Sequence, residues 1–286
     1  VRGRSKSRIR QIGGRYIPGG IQMLKKLIIY DLKASAKIFF LFHLVFLIAC
    51  GLGRFCFMDR IDFVHSSPET LLAPVTIIIC LAIILVVAVN LFSWLMTAFR
   101  FYRNLFGKEG YLSWTLPVSG IRHLWAKIIS GCVLMWIDTI VIWLGIFFLV
   151  SGRNVTEAYA MISADVTEML GLPLSMFSLY MFLFTALSCI ISVIMTYFCI
   201  AVGQLFLSHR ILCAIATYFI LTFVLQIAVF LIMILSGYFN GYINSSGIFS
   251  KELSLILVPS FLFSFIIAIA EYMITHYILS KKINLI

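Results

Sequence analysis

Two acidic side chains lie inside long apolar stretches of the sequence. Asp138 falls between Trp136 and Trp143, and Glu271 precedes His276 by about one helical turn. An ionisable residue at membrane depth is costly and usually faces protein or a water-filled cavity. Each acid is therefore a candidate for a proton or cation relay or a substrate path. The alternative is a hydrogen bond between helices, typically worth about 0.6 kcal/mol. The same alternatives apply to His43, Asn90, Gln204 and Gln226.

Sequence motifs for phosphate binding, metal coordination and acyl transfer are absent. The nearest approach to a phosphate-binding loop is Gly107-Lys108, but Glu109 follows it and position 102 is a tyrosine. Neither HExxH, a paired His/Cys spacing nor a G-x-S-x-G elbow occurs. We therefore expect no catalytic residue, no metal and no cofactor in this chain. If this chain takes part in powered transport, the ATP would be bound by a partner subunit.

The composition indicates that lipid is the main solvent of this chain. Of its 286 residues, 62% are hydrophobic and 12% are charged, whereas soluble domains are about half apolar and about a quarter charged. A formal net charge of +11 would suggest nucleic acid in a soluble protein. Here the basic residues flank apolar segments, as in cytoplasmic loops that face anionic lipid. We expect the lipid bilayer as a partner and no nucleic acid.

Gaps between the charged residues outline six membrane spans. No Asp, Glu, Lys or Arg occurs in residues 70–99, 169–209 or 211–250, and about 20 apolar residues cross the hydrocarbon core. Arg210 predicts a tight turn, and a merger of the fourth and fifth spans into one long helix is the alternative. The fold class is an all-α membrane protein with a transmembrane domain at 38–282. Its spans are placed at 38–57, 71–99, 128–150, 173–205, 211–238 and 253–279.

The distribution of Lys and Arg predicts the orientation. Eighteen of the 22 basic residues lie in residues 1–37, in the loop 100–127, or at Arg210, Lys281 and Lys282. The other four lie in the proposed outer loops, together with seven of the 11 acidic residues. Cytoplasmic loops carry the excess of Lys and Arg. We expect a multi-pass protein of the plasma membrane with both termini in the cytoplasm.

Residues 1–22 form a basic, glycine-rich tail without an apolar segment, so they do not resemble a signal peptide. One interpretation is an arm that touches anionic lipid. We favour another, in which the tail is not translated. Codons for Gly19-Gly20 would resemble a bacterial ribosome-binding site at a plausible distance from an initiating Met23.

Residues 23–37 are predicted to form an interfacial amphipathic helix that leads into the first span. The lysines on one arc are Lys25, Lys26, Lys33 and Lys37, and the apolar residues on the opposite arc are Leu24, Leu27, Ile28 and Leu32. Asp31 interrupts this pattern because it projects from the apolar arc. It is either paired with a nearby lysine or a docking charge for another chain.

The inner loop 100–127, between the second and third spans, is amphipathic and rich in aromatic residues. Gly107 and Gly110 interrupt a helix there, and Pro117 marks a turn. Its apolar side chains include Tyr111, Leu112, Trp114 and Leu116. These side chains would rest on lipid or fit a groove on a cytoplasmic partner, with Glu109 as an orienting charge.

Two stretches of this sequence resemble the membrane permease subunits of type-2 ATP-binding-cassette exporters, especially those of Gram-positive bacteria. One is the entry helix LIIYDLKASAKIFF, and the other is KEGYLSWTLPVSGIRHLWAK in the inner loop. The six-span layout, with a helical inner loop after the second span, is similar too. The resemblance covers nearly all of residues 23–286, but only these two stretches are specific.

The resemblance implies a homodimer or heterodimer of permease subunits bound to cytoplasmic ATP-binding-cassette ATPase subunits. The inner loop would contain a short cytoplasmic coupling helix that takes up the ATPase motion, and Asp31 would lie in the entry helix. The residues that match the coupling contact are Glu109, Gly110, Tyr111, Leu116 and Pro117. The outer loop 239–252 is short. Bulky or surface-linked substrates, handled by members with a large outer domain, are therefore not expected.

Three functions follow from these observations. The leading hypothesis is the permease subunit of an exporter for a small or amphipathic substrate. The alternative is a stand-alone secondary transporter or channel that uses Asp138 and Glu271. It predicts activity without an ATPase and an internal repeat, for which the sequence gives no convincing sign. A membrane enzyme is the third, and the missing motifs argue against it.

Overall fold

The computed structural model describes residues 20–107, 110, 115, 120–206, 208–235, 237 and 249–281. Over these residues the chain forms seven α-helices and one short 3-10 helix, and contains no strand. The α-helices are α1 (Gly20–Cys56), α2 (Pro68–Leu105), α3 (Gly120–Val150), α4 (Arg153–Leu170), α5 (Leu174–Gly203), α6 (Arg210–Leu235) and α7 (Phe249–Lys281). The 3-10 helix is Met58–Arg60. The predicted all-α fold class is confirmed.

Six of these helices are long and apolar enough to cross a membrane. The segments are Gln22–Arg60, Glu69–Leu105, Gly120–Val150, Leu174–Gly203, Arg210–Leu235 and Ile256–Lys281. Each coincides with one predicted span, as expected for a multi-pass membrane protein. α5 ends at Gly203 and α6 begins at Arg210. The predicted turn is therefore present, and the alternative of one merged helix is wrong.

The first helix runs without a break through the segment predicted to be interfacial and the predicted first span. α1 is a continuous helix of 37 residues, about 55 Å long at 1.5 Å per residue. The predicted interfacial segment 23–37 therefore runs directly into the first span. Its four lysines are exposed, and the four apolar residues of the opposite arc are half-buried. Exposure therefore differs between the two predicted arcs, and the interfacial position of this segment stays a prediction.

The helices on either side of the inner loop extend beyond the predicted span ends. α2 continues to Leu105 and α3 begins at Gly120. Arg100 and Lys127 were predicted as loop residues but are helical, so the loop bounds 100–127 are too wide. The prediction ended each span at the first charge because lipid excludes charges. Here the two cations are paired with a buried acid instead.

Contacts place the basic segments of the sequence at one end of the bundle, which we call the basic end. Asp31 of α1 contacts Arg100 of α2 and Lys127 of α3. In the larger apolar cluster, Leu279 near the end of α7 joins Leu124 near the start of α3. The start of α1, the end of α2, the start of α3 and the end of α7 therefore share this end.

The opposite end carries a helix that the sequence prediction did not assign. α4 (Arg153–Leu170) is amphipathic and follows the third span directly. It stops at Gly171, whose φ of 73° lies in the left-handed region that favours glycine after a helix. Asn154 Nδ2 donates to the carbonyls of Met58 and Ile61 at 2.7 and 2.8 Å. These bonds fix the start of α4 to the segment between α1 and α2.

Two buried apolar clusters hold the helices together. The larger joins α2, α3, α5 and α7 and contains Phe101, Leu105, Leu124, Ile128, Cys132, Met135, Cys189, Val193, Tyr197, Ile200 and Leu279. The smaller joins α1, α2 and α3 and contains Phe46, Cys50, Val89 and Ile142. Gly131 of α3 faces Tyr197 and Val193 of α5. A Cβ atom at Gly131 would lie 2.5 Å from Tyr197 Oη and 3.0 Å from Val193 Cγ1. Glycine is therefore needed for this close approach.

Candidate functional site

Three acidic side chains are buried among the helices. Asp31, Asp138 and Glu271 are 5%, 0% and 4% exposed, respectively. Burial removes the water that would otherwise stabilise a charge, so the state of each acid depends on its protein partners. The three acids differ sharply in those partners.

Asp31 accepts hydrogen bonds from four side chains on two other helices. Arg100 Nη2 and Asn104 Nδ2 of α2 each donate to Oδ1 at 3.0 Å. From α3, Lys127 Nζ donates to Oδ1 and Ser130 Oγ donates to Oδ2, both at 2.8 Å. Residues three or four positions apart lie on one face of a helix. The spacings 100/104 and 127/130 therefore bring both partners of each helix to α1.

This arrangement, which we call the Asp31 cluster, holds one carboxylate against two cations. Such charge-assisted bonds favour the ionised carboxylate. Tyr197 Oη of α5 donates to the Lys127 carbonyl at 3.1 Å. The two interpretations that the sequence offered, a local lysine pair and a docking charge for another chain, are both replaced by partners on α2 and α3. The cluster fixes α1 to the two helices that flank the inner loop.

Asp138 is bonded to side chains of α1 and α2. His43 Nε2 lies 2.8 Å from Oδ1, Ser93 Oγ donates to Oδ1 at 2.6 Å, and Asn90 Nδ2 donates to Oδ2 at 3.4 Å. The sequence singled out His43, Asn90 and Asp138 separately. The structure brings these three together and adds Ser93.

The hydrogen bond between His43 and Asp138 needs one proton more than a neutral imidazole and an ionised carboxylate carry together. His43 Nδ1 lies 2.7 Å from the carbonyl oxygen of Phe39, which only accepts hydrogen bonds. Nδ1–H therefore donates there, and a neutral imidazole has no other N–H. A bond between Nε2 and Asp138 then requires one more proton. The pair is an imidazolium with a carboxylate, or a neutral ring with a carboxylic acid, and its net charge is zero in both forms.

Glu271 has no such partners. Neither Oε1 nor Oε2 forms a hydrogen bond in the part of the chain that the structure describes. Thr275 Oγ1 donates at 2.7 Å to the backbone carbonyl of Glu271, not to its carboxyl group. From α5, the thiol of Cys199 lies close enough to interact electrostatically with Glu271. Asp138 and Glu271 share no bonded partner, so the structure does not join them in one relay.

Most of the predicted coupling residues cannot be placed. Glu109, Tyr111, Leu116 and Pro117 lie outside the residues that the structure describes. Gly110 is described and buried, and its N–H donates to the Gly107 carbonyl at 2.8 Å. Their contact with an ATPase stays a prediction.

The remaining polar residues singled out in the spans form no site. Gln204 follows the end of α5, and its Nε2 donates to the carbonyl of Ile200 within the same chain segment at 3.4 Å. Gln226 is exposed on α6. Over the described ranges, no group of three or more His, Cys, Asp or Glu side chains is arranged to hold a metal ion.

Sequence reasoning missed five partners of the buried acids: Ser93, Arg100, Asn104, Lys127 and Ser130. The signal for two of them was present in the helical spacing of Arg100 and Asn104 at the end of an apolar stretch. The position of Asp31 on the apolar arc of α1 was the matching sign that this acid has buried partners. Nothing in the sequence indicated which of several basic residues would meet it.

Comparisons with known proteins do not assign this chain to a family. No protein-family model matches it, and neither the search of curated proteins nor that of solved structures found a match.

Proposed function

We propose that this chain is the permease subunit of an ATP-binding-cassette exporter in the cell membrane. It forms the substrate pathway together with an identical or similar permease. Separate cytoplasmic ATPase subunits drive it, and it catalyses no reaction itself. The observation that best supports this proposal is the Asp31 cluster, which lies beside the inner loop.

The cluster supports the proposal because it would transmit force. α2 enters the inner loop and α3 leaves it, and both are bonded to one carboxylate on α1. Breaking a buried charge pair by removing one partner costs about 3–5 kcal/mol, so these helices resist separation. A push on the inner loop would move three membrane helices together.

The proposal also covers the ATPase contact and the orientation, which concern the basic end of the bundle, and the kind of substrate. Glu109, Gly110, Tyr111, Leu116 and Pro117 would form the contact with the ATPase. The contacts that gather the basic segments at one end support a cytoplasmic position for that end, and hence for both termini. The short outer loop favours a small or amphipathic substrate.

Co-purification tests the proposal. The tagged chain, isolated from membranes of its native host in mild detergent, is expected to bring ATP hydrolysis with it. The double variant Glu109→Gln, Leu116→Ala is expected to lose that activity while the chain itself is recovered in the same amount. A matched control at the opposite end is Glu168→Gln, Met169→Ala, since both residues are exposed on α4. The proposal fails if wild-type protein carries no ATPase, or if the first variant retains it.

A stand-alone secondary transporter or channel is the second candidate. The observation in its favour is the burial of Asp138 and Glu271 inside membrane helices, where acids often mark ion pathways. Proteoliposomes that contain this chain alone would show substrate or ion flux without ATP. Asp138→Asn or Glu271→Gln would abolish that flux. Flux that appears only with an added ATPase excludes this candidate.

A further inference from the structure

We propose that Glu271 is a proton-binding site. In the packed arrangement of α5, α6 and α7 its carboxyl group is neutral. It releases its proton when α7 separates from α5 far enough for water to reach the side chain. This inference is independent of the permease proposal, because it concerns the state of one side chain whatever drives transport.

The comparison of the three buried acids carries the inference. Their exposures are equally low, at 5% or less. Asp31 meets four donors, two of which are cations. Asp138 meets three groups that can donate. Glu271 meets none among the described residues. A buried carboxylate without donors or a counter-ion is strongly disfavoured, and protonation removes the charge.

Within the described part of the chain, the helices packed against α7 place no cation in hydrogen-bonding contact with Glu271. From α5 the thiol of Cys199 interacts with it. From α6, Tyr218 interacts with Cys199. α3 makes an aromatic contact here, between Trp125 and Tyr272 with ring centroids 5.4 Å apart. The basic residues of α3 and α6 do not bond to Glu271 either. Lys127 is paired with Asp31, and none of Arg122, His123 and Arg210 forms a hydrogen bond with either carboxyl oxygen of Glu271.

Two further elements complete the surroundings. On α4, Arg153 and Glu157 pair with each other at 2.8 Å, and Asp165 and Glu168 are exposed. On α7 itself, His276 is half-buried and forms no hydrogen bond with the carboxyl oxygens of Glu271. The bound species is therefore a proton and not a metal cation, which would need several oxygen ligands.

The position of Glu271 explains why the proton would be retained. It lies ten residues before Lys281 at the end of α7, about 15 Å along the helix axis. Among the described helices, α7 packs most extensively against α5. This interface separates the carboxyl group from water. Opening the interface hydrates the acid and allows the proton to leave, so the opened and packed arrangements differ by one proton.

Infrared difference spectroscopy tests the protonation state without requiring a reagent to reach the site. Wild-type protein minus Glu271→Gln, in lipid nanodiscs at a mildly acidic pH at which exposed carboxyl groups are still ionised, is expected to show the carbonyl band of one protonated carboxylic acid and no lost carboxylate band. Asp165→Asn, a change at an exposed acid on α4, is the matched control and is expected to show the loss of a carboxylate. The proposal is overturned if the Glu271→Gln difference also shows only a lost carboxylate.

The pH dependence of stability provides a second measurement. In the packed bundle Glu271 holds a proton that the unfolded chain releases once the pH exceeds the ordinary pKa of a glutamic acid. The free energy of unfolding therefore falls as the pH rises from that value towards neutrality. One proton changes the unfolding equilibrium constant up to tenfold per pH unit. Glu271→Gln is expected to remove this contribution, while Asp165→Asn retains it. Equal slopes for wild type and Glu271→Gln would overturn the inference.

Discussion

The Asp31 cluster gives the sharpest prediction about stability. In Asp31→Asn the negative charge is removed while the shape of the side chain is kept. Arg100 and Lys127 then remain side by side with no carboxylate between them. Their side chains are 9% and 13% exposed, and that of Asp31 is 7% exposed. Solvent therefore screens the three charges little.

The expected loss lies at the lower end of the range for broken buried charge pairs. Removing one partner of such a pair costs about 3–5 kcal/mol. The amide oxygen of the new asparagine can still accept from the three donors that now bond Oδ1. Because hydrogen bonding is partly kept and only the charge is lost, we expect about 3 kcal/mol.

Equilibrium unfolding in mixed micelles with increasing sodium dodecyl sulfate measures this loss. Tryptophan fluorescence is a suitable signal, since Trp125 is two residues from Lys127. Asp165→Asn is the matched control, because this exposed acid is also on a helix. Its effect is expected to stay within about 0.5 kcal/mol.

A second variant separates charge from packing. Combining Asp31→Asn with Lys127→Met removes one of the stranded cations while keeping a long side chain. We expect the double variant to be more stable than Asp31→Asn alone, because fewer unpaired charges remain buried. The reasoning is refuted if Asp31→Asn changes stability no more than the Asp165→Asn control.

Three further predictions concern packing, topology and pH. Gly131→Ala is expected to lower stability by about 1–3 kcal/mol, as overpacking against Tyr197 does, in the same unfolding titration; an unchanged midpoint would contradict the close approach. A membrane-impermeant maleimide added to intact cells is expected to label Cys56, which is exposed at the opposite end; labelling only in opened cells would place the basic end outside. The pKa of Asp62 lies below its ordinary value because the backbone N–H groups of His65 and Val64 donate to it. The turn is therefore stable above the ordinary pKa and lost as pH falls through the lowered one. Hydrogen exchange would show this as lost protection at the His65 amide, and unchanged protection would contradict it.

The spans were predictable because charge and lipid exclude each other. Long intervals without Asp, Glu, Lys or Arg coincide with helices in the structure. The same rule failed at the span ends. Arg100 and Lys127 continue their helices because Asp31 neutralises them. Asp31 is 69 positions from Arg100 and 96 positions from Lys127 in the sequence. Hydropathy along the chain contains no information on such pairs.

The buried acids show the same limit at the candidate site. The sequence singled out Asp138 and Glu271 by their depth alone. It could not distinguish them, because the partner of Asp138 is His43, 95 positions away, while Glu271 has no bonded partner in the described ranges. α4 was missed for another reason. The prediction relied on charge gaps, and a helix with charges on its exposed face leaves none.

α1 and α3 are joined by polar contacts at three heights along their length. These contacts are Asp31 to Lys127, His43 to Asp138, and Arg54 to the Phe148 carbonyl. Asp31 and Arg54 are 23 residues apart in one unbroken helix, about 35 Å along its axis. Neither helix can slide, swivel or hinge against the other without breaking at least one contact. We therefore expect α1 and α3 to move together as one rigid unit. A movement that keeps all three contacts would have to involve α2, α5, α6 or α7, and the α5–α7 interface that buries Glu271 is one such place.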